Sequence, residues 1–163
     1  MKKLVAAMLC LALSLMCAVG LANEKIDPSE LQIGVIMIGD TSDMGFNYSH
    51  LVGLQEMQKN LGIEDHQITI LENVADDSTC ADAISELISN GCNVIIGNSF
   101  GFQTYMYEAA AQNPEVLFCH YSGLLQNDTN FCRFNARNYQ TRYLQGIAAA
   151  MRSESGKIGF VGT

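Results

Sequence analysis

The chain has 163 residues, 17 acidic against 9 basic side chains, a net charge of −8, and a hydrophobic share of 48%. A surface so acidic cannot neutralise a phosphate backbone, which argues against a nucleic-acid partner, and it disfavours strongly anionic ligands. The length suffices for one α/β domain with a real core but is short for two.

At the N-terminus Lys2 and Lys3 precede an apolar run, residues 4–19, broken only by Ser14. That pattern, followed by Gly20-Leu21-Ala22, predicts a signal peptide over residues 1–22 with cleavage after Ala22. A lipid on Cys17, behind the imperfect lipobox Ser14-Leu15-Met16, is the alternative that would tether the protein to a membrane. The expected location is periplasmic or at the cell surface. Cleavage removes both leader lysines and leaves 7 basic against 17 acidic residues.

Residues 31–38, LQIGVIMI, form an apolar run of strand length, as in a parallel strand buried on both faces. The loop GDTSDMG leads into a helix with Leu51, Leu54, Met57 and Leu61 on one stripe and Gly62 closing it. ITILENV is the second strand, and Thr79 is expected to cap a helix with Cys80, Ala83, Ile84, Leu87 and Ile88 on its apolar face. Residues 93–96 give a third strand, 102–112 a third helix and 116–121 a fourth strand. Residues 138–153 read as a helix striped by Tyr143, Ile147 and Met151, and KIGFVG as the start of a further strand.

This alternation predicts a doubly wound parallel sheet with its ligand at the carboxyl ends of the strands, over loops 39–47, 75–78, 97–102 and 122–130. Charge is lopsided along the chain: residues 23–132 hold Lys25 and Lys59 against 16 acids, and residues 133–163 hold five basic residues and Glu154. The expected organisation is a first lobe over 23–132, then a crossover and the beginning of a second lobe over 133–163, with the chain cut short after it.

Three separated segments, GDTSDMGFNYSH, GNSFGFQTYMYEAAAQNPEVLFCHYSG and NYQTRYLQGIAAAMRSESGKIGFVG, together resemble the basic membrane protein family of substrate-binding lipoproteins. The resemblance runs from Ile33 to Thr163. It implies a two-lobed type I periplasmic-binding fold, an ABC permease as partner, and a purine nucleoside or related base as ligand. Gly45-Phe46-Asn47 and Phe100-Gly101-Phe102 match its loop motifs. Many nucleoside binders of the family end strand four with an aspartate where this chain has Ser122, so a carboxylate that would hold base or ribose is missing.

The candidate binding residues are therefore Asp40, Asp43, Phe46, Asn47, Ser99, Phe100 and Ser122, with Asn98 weaker. Phe46 can stack on a planar ring or staple the entry to the first helix, and Asp43 can bind ligand or cap that helix. His120, inside an apolar strand, reads as a core histidine. Cys119 and Cys132 are the better disulfide pair of the four cysteines outside the leader. No metal or other cofactor is expected, because His50, His66 and His120 lack ligand spacing to the cysteines or to each other.

Two rival readings remain. Gly97-Asn98-Ser99-Phe100-Gly101 has the G-x-S-x-G form of an α/β-hydrolase nucleophile elbow, but the only later histidine lies within strand four, so the chain reads as a binder rather than an enzyme. A sensor lobe of the same fold, serving a receptor instead of an importer, is the other.

Overall fold

The computed structural model describes residues 26–161. The leader, its cleavage site and Cys17 lie outside the described residues. The chain divides into two units, Met1–Leu31 and Gln32–Thr163. The described part of the first is a 3-10 turn, Pro28–Glu30, whose N-terminus is capped by the Asp27 carboxylate accepting from Ser29 N.

The second unit is built on five parallel strands, β1 (Ile33–Ile36), β2 (Ile68–Leu71), β3 (Val94–Gly97), β4 (Leu117–Tyr121) and β5 (Phe131–Phe134), in the order β2-β1-β3-β4-β5. Four helices accompany them: α1 (Phe46–Leu61), α2 (Ser78–Ser89), α3 (Gln103–Gln112) and α4 (Asn138–Arg152). Because the crossover from β1 runs outward to β2 and the next runs back past β1 to β3, right-handed connections place α1 on one face and α2 and α3 on the other. This is the doubly wound sheet that the alternation predicts.

The main core lies between the sheet and α2–α3. Cys80, Ala83, Ile84 and Leu87 of α2 are buried as their spacing implies, packed with Ile36, Ile95, Phe102, Met106, Phe118 and Phe131. Every residue of β1 is buried, which explains its unbroken apolar run.

Three details correct the sequence reading. The cap of α2 is Asp77, whose carboxylate accepts from Thr79 N at 2.8 Å and Thr79 Oγ1 at 2.7 Å; Thr79 donates where it was expected to cap. β5 was not expected at all. Residues 158–161 have no strand partner among the described residues, so KIGFVG does not begin a paired strand there.

α4 is a fully formed helix in which no residue is buried, and its stripe Tyr139, Tyr143, Ile147, Met151 faces outward. Among the described residues no helix is long and apolar enough to cross a membrane.

Candidate functional site

In a sheet of this order the crevice between β1 and β3 is the topological switch point, so the loops after those strands should open around a ligand. The loops instead hold each other. Asn98, 1% exposed, accepts from Ile38 N at 3.0 Å through Oδ1 and donates through Nδ2 to Asn47 Oδ1 at 2.8 Å. Asn47, 6% exposed, donates its own Nδ2 to Asp43 at 3.0 Å. A side chain on Gly39 would put its Cβ 2.7 Å from Asn47 Nδ2, so glycine is what lets the loop after β1 pass close to the first turn of α1.

Asp43 caps α1. Its carboxylate accepts from the backbone N–H groups of Gly45 (2.9 Å), Asn47 (2.8 Å) and Tyr48 (3.0 Å), and these bonds hold its pKa down to about 2. Asp40 caps the 3-10 turn Thr41–Asp43 through both the backbone N–H and the hydroxyl of Ser42, which lower its pKa.

Ser99 Oγ donates to Asp76 at 3.0 Å, and the Ser99 carbonyl is bonded to Nε2 of the fully buried His120 at 2.7 Å. A carbonyl can only accept, so the proton sits on Nε2 and leaves Nδ1 as a lone pair. Nδ1 has no partner, and it lies 2.1 Å from where a Cβ on Gly123 would be, so only glycine fits beside the ring. Burial lowers the pKa of His120, which keeps the ring neutral. The serine hydroxyl thus meets a carboxylate and the imidazole meets a carbonyl. The Ser-to-His hydrogen bond of a nucleophile elbow is not formed.

Ser122 follows β4 in the left-handed region, φ 66°, and its N–H donates to Phe134 O at 3.0 Å. Phe100 is 53% exposed at the first turn after β3, where it could wall a site.

Phe46 opens on a different space. Alternation along β4 sends Phe118 and His120 into the core and Cys119 and Tyr121 to the other face, where α1 lies. There Phe46 meets His50 edge-on at 4.8 Å, and Tyr121 contacts both, at 5.8 Å and 4.8 Å. Phe134 adds a fourth ring, 5.6 Å from Tyr121. Phe46, His50 and Tyr121 form one wall of a cleft of about 680 Å³, and Asn138, Arg142 and Gln145 from α4 form the other. Asn138 Nδ2 donates to the Tyr121 hydroxyl at 3.1 Å, and Arg142 donates to Gln145 Oε1 at 3.1 Å. Burial lowers the pKa of His50, so it is uncharged at neutral pH.

Of the seven candidates, only Phe46 lines this cleft. The sequence reading missed His50, Tyr121 and Arg142. His50 is one helical turn beyond Phe46, a spacing that places both on one face, and that was the available signal. Among the described residues no cluster of His, Cys, Asp and Glu could hold a metal ion.

Comparison with known proteins gives this geometry a lineage. Residues 30–163 match the family described as ABC transporter substrate-binding protein PnrA-like. The chain belongs to that family. A purine-binding protein of Brucella abortus is 34% identical over 142 residues, covering 87% of this chain and 39% of that protein. The putative ABC transporter glucose-binding protein TsgA13 of Haloferax volcanii is 30% identical over 127 residues, covering 77% of this chain and 31% of its own length. The chain thus spans 39% and 31% of the length of these two relatives. Its fold is shared with an ABC transporter solute-binding protein from Conexibacter woesei, at TM-score 0.58 and 20% identity over 74% of this chain and 40% of that one.

Proposed function

We propose that this chain is the ligand-facing part of an exported substrate-binding component of an ABC importer, and that it grips a purine nucleoside or related base. The observation that carries the reading is the ring wall of Phe46, His50 and Tyr121 beside polar groups of α4, at the carboxyl end of a parallel sheet. Aromatic faces at such an edge suit a planar heterocycle, and the surrounding amides and hydroxyls suit its polar rim. The name of the Brucella relative supports purines, and that of the Haloferax relative makes glucose the ligand to test against.

Phe46 is 44% exposed, so its ring is available for stacking. Phe100 and Ser122 stand at neighbouring strand ends as further contacts, whereas Asp40, Asp43, Asn47 and Ser99 act through the loops they hold. The partner is the permease of the importer, and the chain carries no catalysis of its own.

Titration with a purine nucleoside, its free base and glucose tests this. Phe46→Ala should weaken purine binding about tenfold, the 1.4 kcal/mol that one stacked ring is worth. The nucleoside should be recovered intact. Unchanged affinity in Phe46→Ala, binding of glucose alone, or cleavage of the nucleoside would each overturn the proposal.

A further inference from the structure

The polar inventory of the cleft is one-sided. Among the described residues no carboxylate lines it, and with His50 neutral the only formal charge among them is that of Arg142. Asp43, the nearest acid in sequence to the lining residues Gly45 and Phe46, is already bonded to three backbone N–H groups and the Asn47 amide.

The acceptors are partly spent and the donors are not. Gln145 Oε1 is taken by Arg142, which leaves the Gln145 amide N–H groups and the remaining guanidinium N–H groups facing the cleft. The Tyr121 oxygen accepts from Asn138, so its own proton is free to be given away. Ser49 has turned its proton to Gly45 O at 2.6 Å. Asn138 Oδ1, the unprotonated ring nitrogen of His50 and the hydroxyl oxygens remain as acceptors, but all are neutral, and a hydrogen bond to a charged group outweighs one between neutral groups.

We propose that Arg142 sets the specificity of this cleft, making it select heterocycles that present a carbonyl oxygen, the oxopurines, over those that present an amino group. The inference rests on the purine reading above and refines it. A carbonyl oxygen accepts from a guanidinium, while an amino group placed there would face a donor with a donor and strand both. The negative net charge of the whole chain does not interfere, because such a ring is neutral and because screening confines distant charges to about 8 Å.

Inosine and adenosine share the ribose and differ along one base edge, C6 oxygen with N1–H against C6 amino group with unprotonated N1, so the Arg142 variants are needed to assign the preference to the guanidinium. The full chain, labelled with ¹⁵N and ¹³C, is titrated with each, following resonances of Phe46, His50 and Tyr121. Inosine should bind about tenfold more tightly than adenosine. In Arg142→Met inosine should fall to the level of adenosine, with adenosine changed less than about twofold, and Arg142→Lys should keep part of the preference through its charge. Arg142 is exposed on α4, so the substitution leaves the fold intact, which the unshifted core resonances check. Equal affinities in the unaltered chain, or equal weakening of both nucleosides in Arg142→Met, would overturn this inference and leave the purine reading standing. Failure of both nucleosides to perturb the cleft resonances would overturn both.

Discussion

The carboxyl edge of the sheet contains two regions of similar composition and opposite behaviour. In the β1–β3 crevice, Asp43, Asn47, Asn98 and Ser99 all bond within the protein, and three of them are buried. In the β4–α4 cleft, Phe46, His50, Tyr121 and Arg142 stand with faces or protons unspent. Polar residues at a strand's end are therefore not evidence of a site until their own bonds are counted.

The contrast is sharpest in what substitution should do to each side. Asn98→Leu removes the partner of Ile38 N–H and the buried donor to Asn47 Oδ1. It should cost about 3 kcal/mol in urea unfolding, the penalty for stranding buried polar groups. A loss under 1 kcal/mol would mean that the loops are held by something else.

A second test bears on the β4–β5 edge of the sheet. Cys119 and Cys132 are paired in register on β4 and β5, their sulfurs 3.4 Å apart and unbonded. Burial and the neighbouring thiol raise the pKa of Cys119 to about 12, so the exposed Cys132 is the one positioned to attack an oxidant. Exchange with oxidised glutathione should join the two sulfurs, release two molecules of reduced glutathione and lower the protein mass by two hydrogens. Closing so short a loop should stabilise the fold by about 2 kcal/mol, somewhat less than an unstrained bridge would give. Both thiols still open to alkylation after oxidation would refute the pairing.

The smallest effect concerns the cap of α1. Asp43 titrates near 2 when folded and near 3.8 when free, so its contribution is present above pH 3.8 and is lost as pH falls through about 2. Urea midpoints measured between pH 5 and 2 should fall less steeply in Asp43→Asn than in the unaltered chain. Parallel curves would show that the carboxylate does not hold the helix.

Much of the fold was legible because the strands and α2 follow simple periods: an unbroken run for β1, and a stripe at helical spacing for Cys80, Ala83, Ile84 and Leu87. β5 was not legible, since only Phe131 of its four residues is buried. It is held by side chains outside it: Asn127 Oδ1 accepts from Phe131 N at 2.8 Å, and Asn130 Nδ2 reaches the carbonyls of Ala110 and Val116 at 2.9 Å each. The bonds of Asn130 join residues distant in sequence, and the Asn127 bond is a single turn contact, so neither leaves a local period.

Of the residues that line the cleft, the sequence reading named Phe46. Tyr121 was read as the end of a core strand, and its turn toward α1 follows from the parity of β4, visible once Phe118 is known to face the core. Arg142 belongs to a helix whose apolar stripe drew attention to its other side.

The bond between Asn98 and Asn47 bears on how much motion binding would arrest. Side chains already fixed have no rotational freedom left to surrender, so the crevice between β1 and β3 adds no ordering entropy when a ligand arrives in the cleft beside it. That cost falls on the long side chains of α4, at about 0.5–1.5 kcal/mol for each one immobilised. Arg142 and Gln145 are already tied to each other, so part of their freedom is gone in the unliganded chain.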